Sequence, residues 1–127
     1  MTTPPGPADP FRLEALRREP DVESPELVAV DATDRLLLDE AAALLAACGP
    51  GEVVVVGDRY GALTLGAVAL HGASDVRVHQ DLLTGELALA ANAARTGVDA
   101  GAWRSLPFTP DLVRGARLVL LQLPRSL

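Results

Sequence analysis

The stretch that most constrains the fold is VVVVGDRYGALTLGAVALHGA, residues 53–73. Four consecutive β-branched residues offer no polar face, so the strand they form must be covered on both sides, as in a parallel sheet. A loop bounded by Gly57 and Gly61 follows, and then a run of small apolar side chains able to lie close to a sheet. Strand, glycine loop and helix in this order is how nucleotide-binding α/β domains hold a ligand. The glycines let the backbone approach it without a Cβ in the way.

Similar units flank this one. DVRVHQ, Asp75 to Gln80, reads as the next strand, with Asp81 capping a helix that runs to about Thr96 and stops at Gly97. Upstream, Asp34 is placed to cap a helix through Ala47, ended by Gly49-Pro50-Gly51. Leu37, Ala41, Leu44, Leu45 and Cys48 share a face of it at helical spacing. ELVAVD, Glu26 to Asp31, reads as a short strand, as does the region from Trp103 to Leu106. RLVLLQL, Arg117 to Leu123, is the last strand.

Strand–helix alternation implies right-handed crossovers, giving an α/β, Rossmann-like parallel sheet flanked by helices. No helix follows the final apolar strand, so the sheet reads as truncated. Residues 1–10 contain four prolines, and a short helix from Phe11 to Arg18 ends at Pro20. The expected organisation is a flexible tail with a short helix over 1–25 and one domain over 26–127.

Composition removes several function classes. The net charge is −6 and all 11 basic residues are arginine. Nucleic-acid binding draws on a basic face, and the sequence offers only the isolated pair Arg17-Arg18, so tight binding by this chain alone is disfavoured. One cysteine, Cys48, excludes a disulfide framework and a cysteine zinc site, and reads as a buried thiol at a helix end. His71 and His79 lack companions at ligand spacing, so no metal is expected. Ser74, Ser105 and Ser126 lack the GxSxG setting of a hydrolase nucleophile. Asp31 and Asp34 read as capping residues, and Trp103 and Phe108 as core. No apolar run reaches the roughly 20 residues of a membrane span, which suits a reducing cytoplasm.

The glycine loop lacks the chemistry its setting suggests. In S-adenosylmethionine enzymes an acid and one apolar residue precede Gly-x-Gly-x-Gly. Here the outer glycines fall on Gly57 and Gly61, the central one on Arg59, and the acid on Val55. The degenerate loop is therefore Gly57, Asp58, Arg59, Tyr60 and Gly61. Gln80 or Asp81 falls where an acid would bind ribose, with helix capping as the competing role for Asp81. Neither GxGxxG nor GK[ST] is present. At the end of the last strand, Gln122-Leu123-Pro124-Arg125 stands where amino-group methyltransferases place Asn/Asp-Pro-Pro-Phe/Tyr.

Taken together, Asp31-Ala32-Thr33-Asp34, Gly61-Ala62-Leu63, Asp81 followed by Asn92, and the closing Leu-Pro-Arg-Ser-Leu resemble the N-terminal domain of bacterial ribosomal RNA guanine-N2 methyltransferases. The likeness is nearer to the large-subunit type than the small-subunit type, and covers residues 27–127. It implies a class I methyltransferase-like fold and a C-terminal catalytic partner domain that carries S-adenosylmethionine. The resemblance further implies ribosomal RNA as substrate of the full-length enzyme, with this domain positioning substrate and binding no cofactor. Asp81 is the residue to bind a ligand if one enters. The alternatives are a small nucleotide- or anion-binding domain, using Arg59 and the helix N-terminus at Gly61, or a protein-interaction module. In the last case an open final strand favours a homodimer.

Overall fold

The computed structural model describes residues 10–18 and 32–122. Its elements are α1 (Ala32–Ala47), β1 (Val53–Val56), α2 (Ala62–His71), β2 (Val76–His79), α3 (Leu83–Thr96), β3 (Trp103–Ser105), α4 (Pro110–Val113) and β4 (Leu118–Leu121). The strands form one sheet in the order β3-β2-β1-β4, every neighbouring pair parallel. This is the α/β, Rossmann-like arrangement expected, with β1 at its centre and a change of direction between β1 and β4. The expected strand at 26–31 lies outside the described residues.

The valine run explains the centre. Val53, Val54 and Val55 are wholly buried, because β1 has a hydrogen-bonded neighbour on each side and covered faces above and below. Val53, Val55, Val76, Val78 and Leu120 join α1, α2 and α3 in the main core. The alternate residues, Val54, Arg77 and Val119, are in register on the other face, where α4 lies. Leu112 of α4 is buried there, but Val119 and Leu121 remain 45% and 50% exposed.

Several local expectations need correction. Asp34 does not cap α1: the helix begins at Ala32, and Asp34 sits buried in its first turn. The inward face of α1 is Asp34, Leu38, Ala41 and Leu45, with Leu37 and Cys48 half-buried and Leu44 exposed. Gly66 in α2 accounts for this rotation: a Cβ there would lie 2.5 Å from Leu38 Cδ1, so the glycine admits that leucine. Within Phe11–Arg18 only a single 3-10 turn forms, Leu13–Ala15. Leu13 and Leu16 are nevertheless buried in the main core, so this segment is part of the domain's packing. Phe108 is exposed and meets the His79 ring edge-on at 5.2 Å, while Trp103 is half-buried against the core. The four-residue α4 and a second 3-10 turn at Ala100–Ala102 carry too little periodicity to be read from sequence.

One buried cation ties the α4 face together. The Arg77 guanidinium donates to the carbonyls of Gly51 (2.6 and 3.0 Å), Asp111 (3.2 Å) and Arg114 (2.6 Å). It thereby joins the turn before β1 to the end of α4, where carbonyls lack helical donors. Arg77→Met keeps the aliphatic stem and removes every donor. Stability should fall by about 2 kcal/mol, read as a lower urea midpoint at unchanged m; a change below about 0.5 kcal/mol would contradict this assignment.

Candidate functional site at the carboxyl end of the sheet

In open α/β sheets a ligand lies beyond the carboxyl ends of the strands, where the strand order reverses. Here that position is the turn from Gly57 to Gly61. Both glycines adopt left-handed backbone, φ 81° and 93°. A Cβ on Gly57 would fall 2.2 Å from the Gln122 carbonyl oxygen, and one on Gly61 2.9 Å from Leu89 Cδ1. Close approach of protein to protein is what each glycine permits here.

The Asp58 side chain reaches from the turn to the start of α2. Its side chain is wholly enclosed, and its two oxygens accept from the backbone amides of Leu63 (3.1 Å) and Thr64 (2.8 Å). Those are amides a helix N-terminus would otherwise offer to an anion. The expected pairing of Arg59 with this helix end as an anion site is therefore not what the turn builds: Asp58 fills the amide position and Arg59 is exposed. Tyr60 is buried, with its ring under Arg18, whose guanidinium carbon is 5.3 Å from the ring centroid and whose Nε donates to the hydroxyl at 3.0 Å.

The residues expected at a ribose site part company. Gln80 turns back and donates through Nε2 to the Asp58 carbonyl, with Gly85 of α3 leaving room for its side chain. Asp81 does not cap α3. The cap position is Leu82, without a side-chain hydrogen bond, and the Asp81 side chain is 92% exposed and pairs with His79 Nε2 at 3.0 Å. The other ring nitrogen of His79 meets the Leu106 carbonyl at 3.0 Å. Val55, at the acid position, points into the main core. At the end of β4 the Gln122 amide continues the ladder to the Val56 carbonyl at 3.0 Å; the following residues of that motif lie outside those described.

Asn92, read from sequence only as a landmark, is the organising side chain. It is fully buried within α3. Its Nδ2 donates to the carbonyls of Arg17 and Tyr60, each at 2.7 Å, and its Oδ1 accepts from the Arg17 amide at 2.7 Å and Arg95 Nη1 at 2.5 Å. One amide thus satisfies two segments that have no ladder partner, the strip before α1 and the turn after β1. A polar residue at a core position of a helix is the signal that could have found it. Among the described residues no cluster of three His, Cys, Asp or Glu could hold a metal ion.

Burial pushes the Asp58 carboxyl above its ordinary range, and the Thr64 and Leu63 amides oppose this without outweighing it. An acid whose folded-state pKa is raised binds more protons folded than unfolded above about pH 4, so its contribution to stability declines as pH rises through that window. The stability advantage of the parent over Asp58→Asn should therefore be largest near pH 4 and shrink towards neutrality, at up to about 1.4 kcal/mol per pH unit. Urea midpoints of both proteins across this range test it; an advantage that grows with pH would show the amides outweighing burial.

The profile of the RLMG N-terminal domain matches residues 8–127. The chain is 34% identical over 120 residues to the ribosomal RNA large subunit methyltransferase G of Pseudomonas fluorescens, covering 94% of this chain and 31% of that protein. It is 34% identical over 122 residues to the protein of the same name from Pseudomonas aeruginosa, with the same coverage. With that of Streptomyces avermitilis the figures are 36% over 121 residues, 93% of this chain and 30% of the relative. The chain spans about a third of the length of the relatives it matches. By its matched span and its parallel sheet, the chain belongs to the RLMG N-terminal domain family.

Proposed function

We propose that this chain is the non-catalytic, methyltransferase-like N-terminal part of an S-adenosylmethionine-dependent ribosomal RNA (guanine-N2) methyltransferase, and that it positions substrate and supports a catalytic domain. The observation that supports this best is the filled crevice above β1. Asp58 takes the Leu63 and Thr64 amides of α2, Gln80 donates to the Asp58 carbonyl, and the Gln122 carbonyl packs on Gly57. Arg59 adds a side chain where a cofactor loop has glycine. A methyl donor entering there must displace bonds already made within the protein, each worth about 1 kcal/mol net and more if a group stays buried without a partner.

The apolar side chains Val119 and Leu121 on the α4 face suit a further contact, because a parallel sheet is ordinarily covered on both faces. Relatives about three times as long supply a candidate for that cover in their remaining sequence. We assign the activity to the cytoplasm, the compartment of ribosomal RNA; no described helix is long and apolar enough to cross a membrane. A nucleotide-binding reading gains no support from a helix start whose Leu63 and Thr64 amides are already bonded to Asp58.

Isothermal calorimetry with S-adenosylmethionine and S-adenosylhomocysteine tests the proposal. No heat above dilution is expected from either, and no rise in melting temperature at millimolar ligand. A saturable micromolar isotherm would overturn it.

A further inference from the structure

We propose that the outward face of α3 is a self-association surface, on which a second copy of this chain packs its own α3 antiparallel about a two-fold axis. Such pairing is independent of the function proposed above. Of the 14 residues of α3, Leu83–Thr96, only Glu86 and Arg95 are charged. Its inward face is Gly85, Ala88, Leu89, Asn92 and Ala93. On the opposite side Leu83, Leu87, Ala90 and Ala94 recur at i, i+4, i+7 and i+11, a single stripe of helix surface, and all are exposed. Leu82 adjoins the stripe at the helix start; Leu82 and Leu83 are 69% and 68% exposed, and Leu87 49%. A helix at the surface of a domain ordinarily turns charge outward, as α1 does with the exposed Arg35, Asp39 and Glu40. A helix that is apolar on two faces is suited to having something packed against both.

The order of side chains along the stripe identifies the occupant. Two large residues lead and two small ones follow. An antiparallel copy therefore sets Leu83 against the partner's Ala94 and Leu87 against the partner's Ala90. The same contacts repeat across the axis, because a two-fold interface uses one patch twice. Facing large side chains with small ones is what lets two helices interlock at close separation. A parallel copy would set leucine on leucine and alanine on alanine, leaving a gap at one end. Charge favours the antiparallel choice as well. The first turn of α3 holds Glu86, with the exposed Asp81 just ahead of the helix, and the last turn holds the exposed Arg95. Antiparallel packing brings each acidic end beside the partner's basic end and opposes the two helix dipoles favourably. Asp81 is already oriented by His79, and Arg95 by Asn92, so less side-chain freedom is lost on association. The stripe is one helix long, about 21 Å at 1.5 Å per residue. A contact of that length lies at the low end of specific interfaces, so the dimer forms at high micromolar rather than nanomolar concentration.

Sedimentation equilibrium of the 127-residue chain from about 10 µM to about 1 mM, spanning the weak range expected of a small contact, tests this. A monomer–dimer equilibrium is expected. Leu87→Glu should weaken it by about 100-fold or more, because each dimer would bury two unpaired carboxylates. Leu121→Glu, at the β4 edge through which the sequence suggested a homodimer, should leave it unchanged. Both variants should melt close to the parent, since both leucines are about half exposed in the monomer. Register is read separately by disulfide formation in a Cys48→Ser background. A mixture of Leu83→Cys and Ala94→Cys chains should cross-link into a heterodimer. Neither variant alone should cross-link, its two thiols lying about 16 Å apart along the axis. A parent still monomeric at the highest concentration would overturn the proposal, whether residues 19–31 of the same chain or nothing at all covers the stripe. So would a dimer that survives Leu87→Glu, a dimer that Leu121→Glu dissolves, or cross-linking of Leu83→Cys chains with one another in place of the mixture. None of these outcomes bears on cofactor binding, so the two readings fail separately.

Discussion

The two hydrogen bonds from the Leu63 and Thr64 amides to the buried Asp58 carboxyl fix the turn that follows β1. They satisfy donors that a helix start otherwise leaves open, and do so from inside the protein. Once Asp58 is drawn under the turn, Tyr60 is enclosed, Arg59 projects outward, and the Asp58 carbonyl is presented to Gln80. A ligand-binding turn of this topology must keep its amides open. This one is completed by its own chain, and the rest of the crevice closes around it.

Asn92 extends the same logic to the strip before α1. A buried amide with four partners is costly to leave unsatisfied and stabilising when complete. It fastens residues 11–18 across α3 and so turns a segment that reads as a tail into part of the core. In a nucleotide-binding domain such polar side chains are aimed at a ligand. Here they are aimed at the chain's own backbone.

Much of this was legible in the sequence because the physics is local. Four β-branched residues before a glycine loop specify a covered parallel strand, and Gly97 ends its helix as a left-handed cap. Misplaced features depend on tertiary partners. Asp81 has the chemistry of a cap but finds His79 instead, and Gln80 faces the turn with Gly85 packed close beside its side chain. The inward face of α1 is set by Gly66 on another helix. The joining of Arg17, Tyr60 and Arg95 is invisible in the linear sequence, since one buried amide brings the three segments together.

Native-state amide hydrogen exchange at Leu63 and Thr64 probes the closure of this turn most directly. If the Asp58 carboxyl holds both amides permanently, their protection should match that of the central strand β1 and approach the global unfolding free energy. Exchange at the rate of an exposed loop, with β1 still protected, would mean that the turn opens freely and that the crevice is not closed by the protein itself.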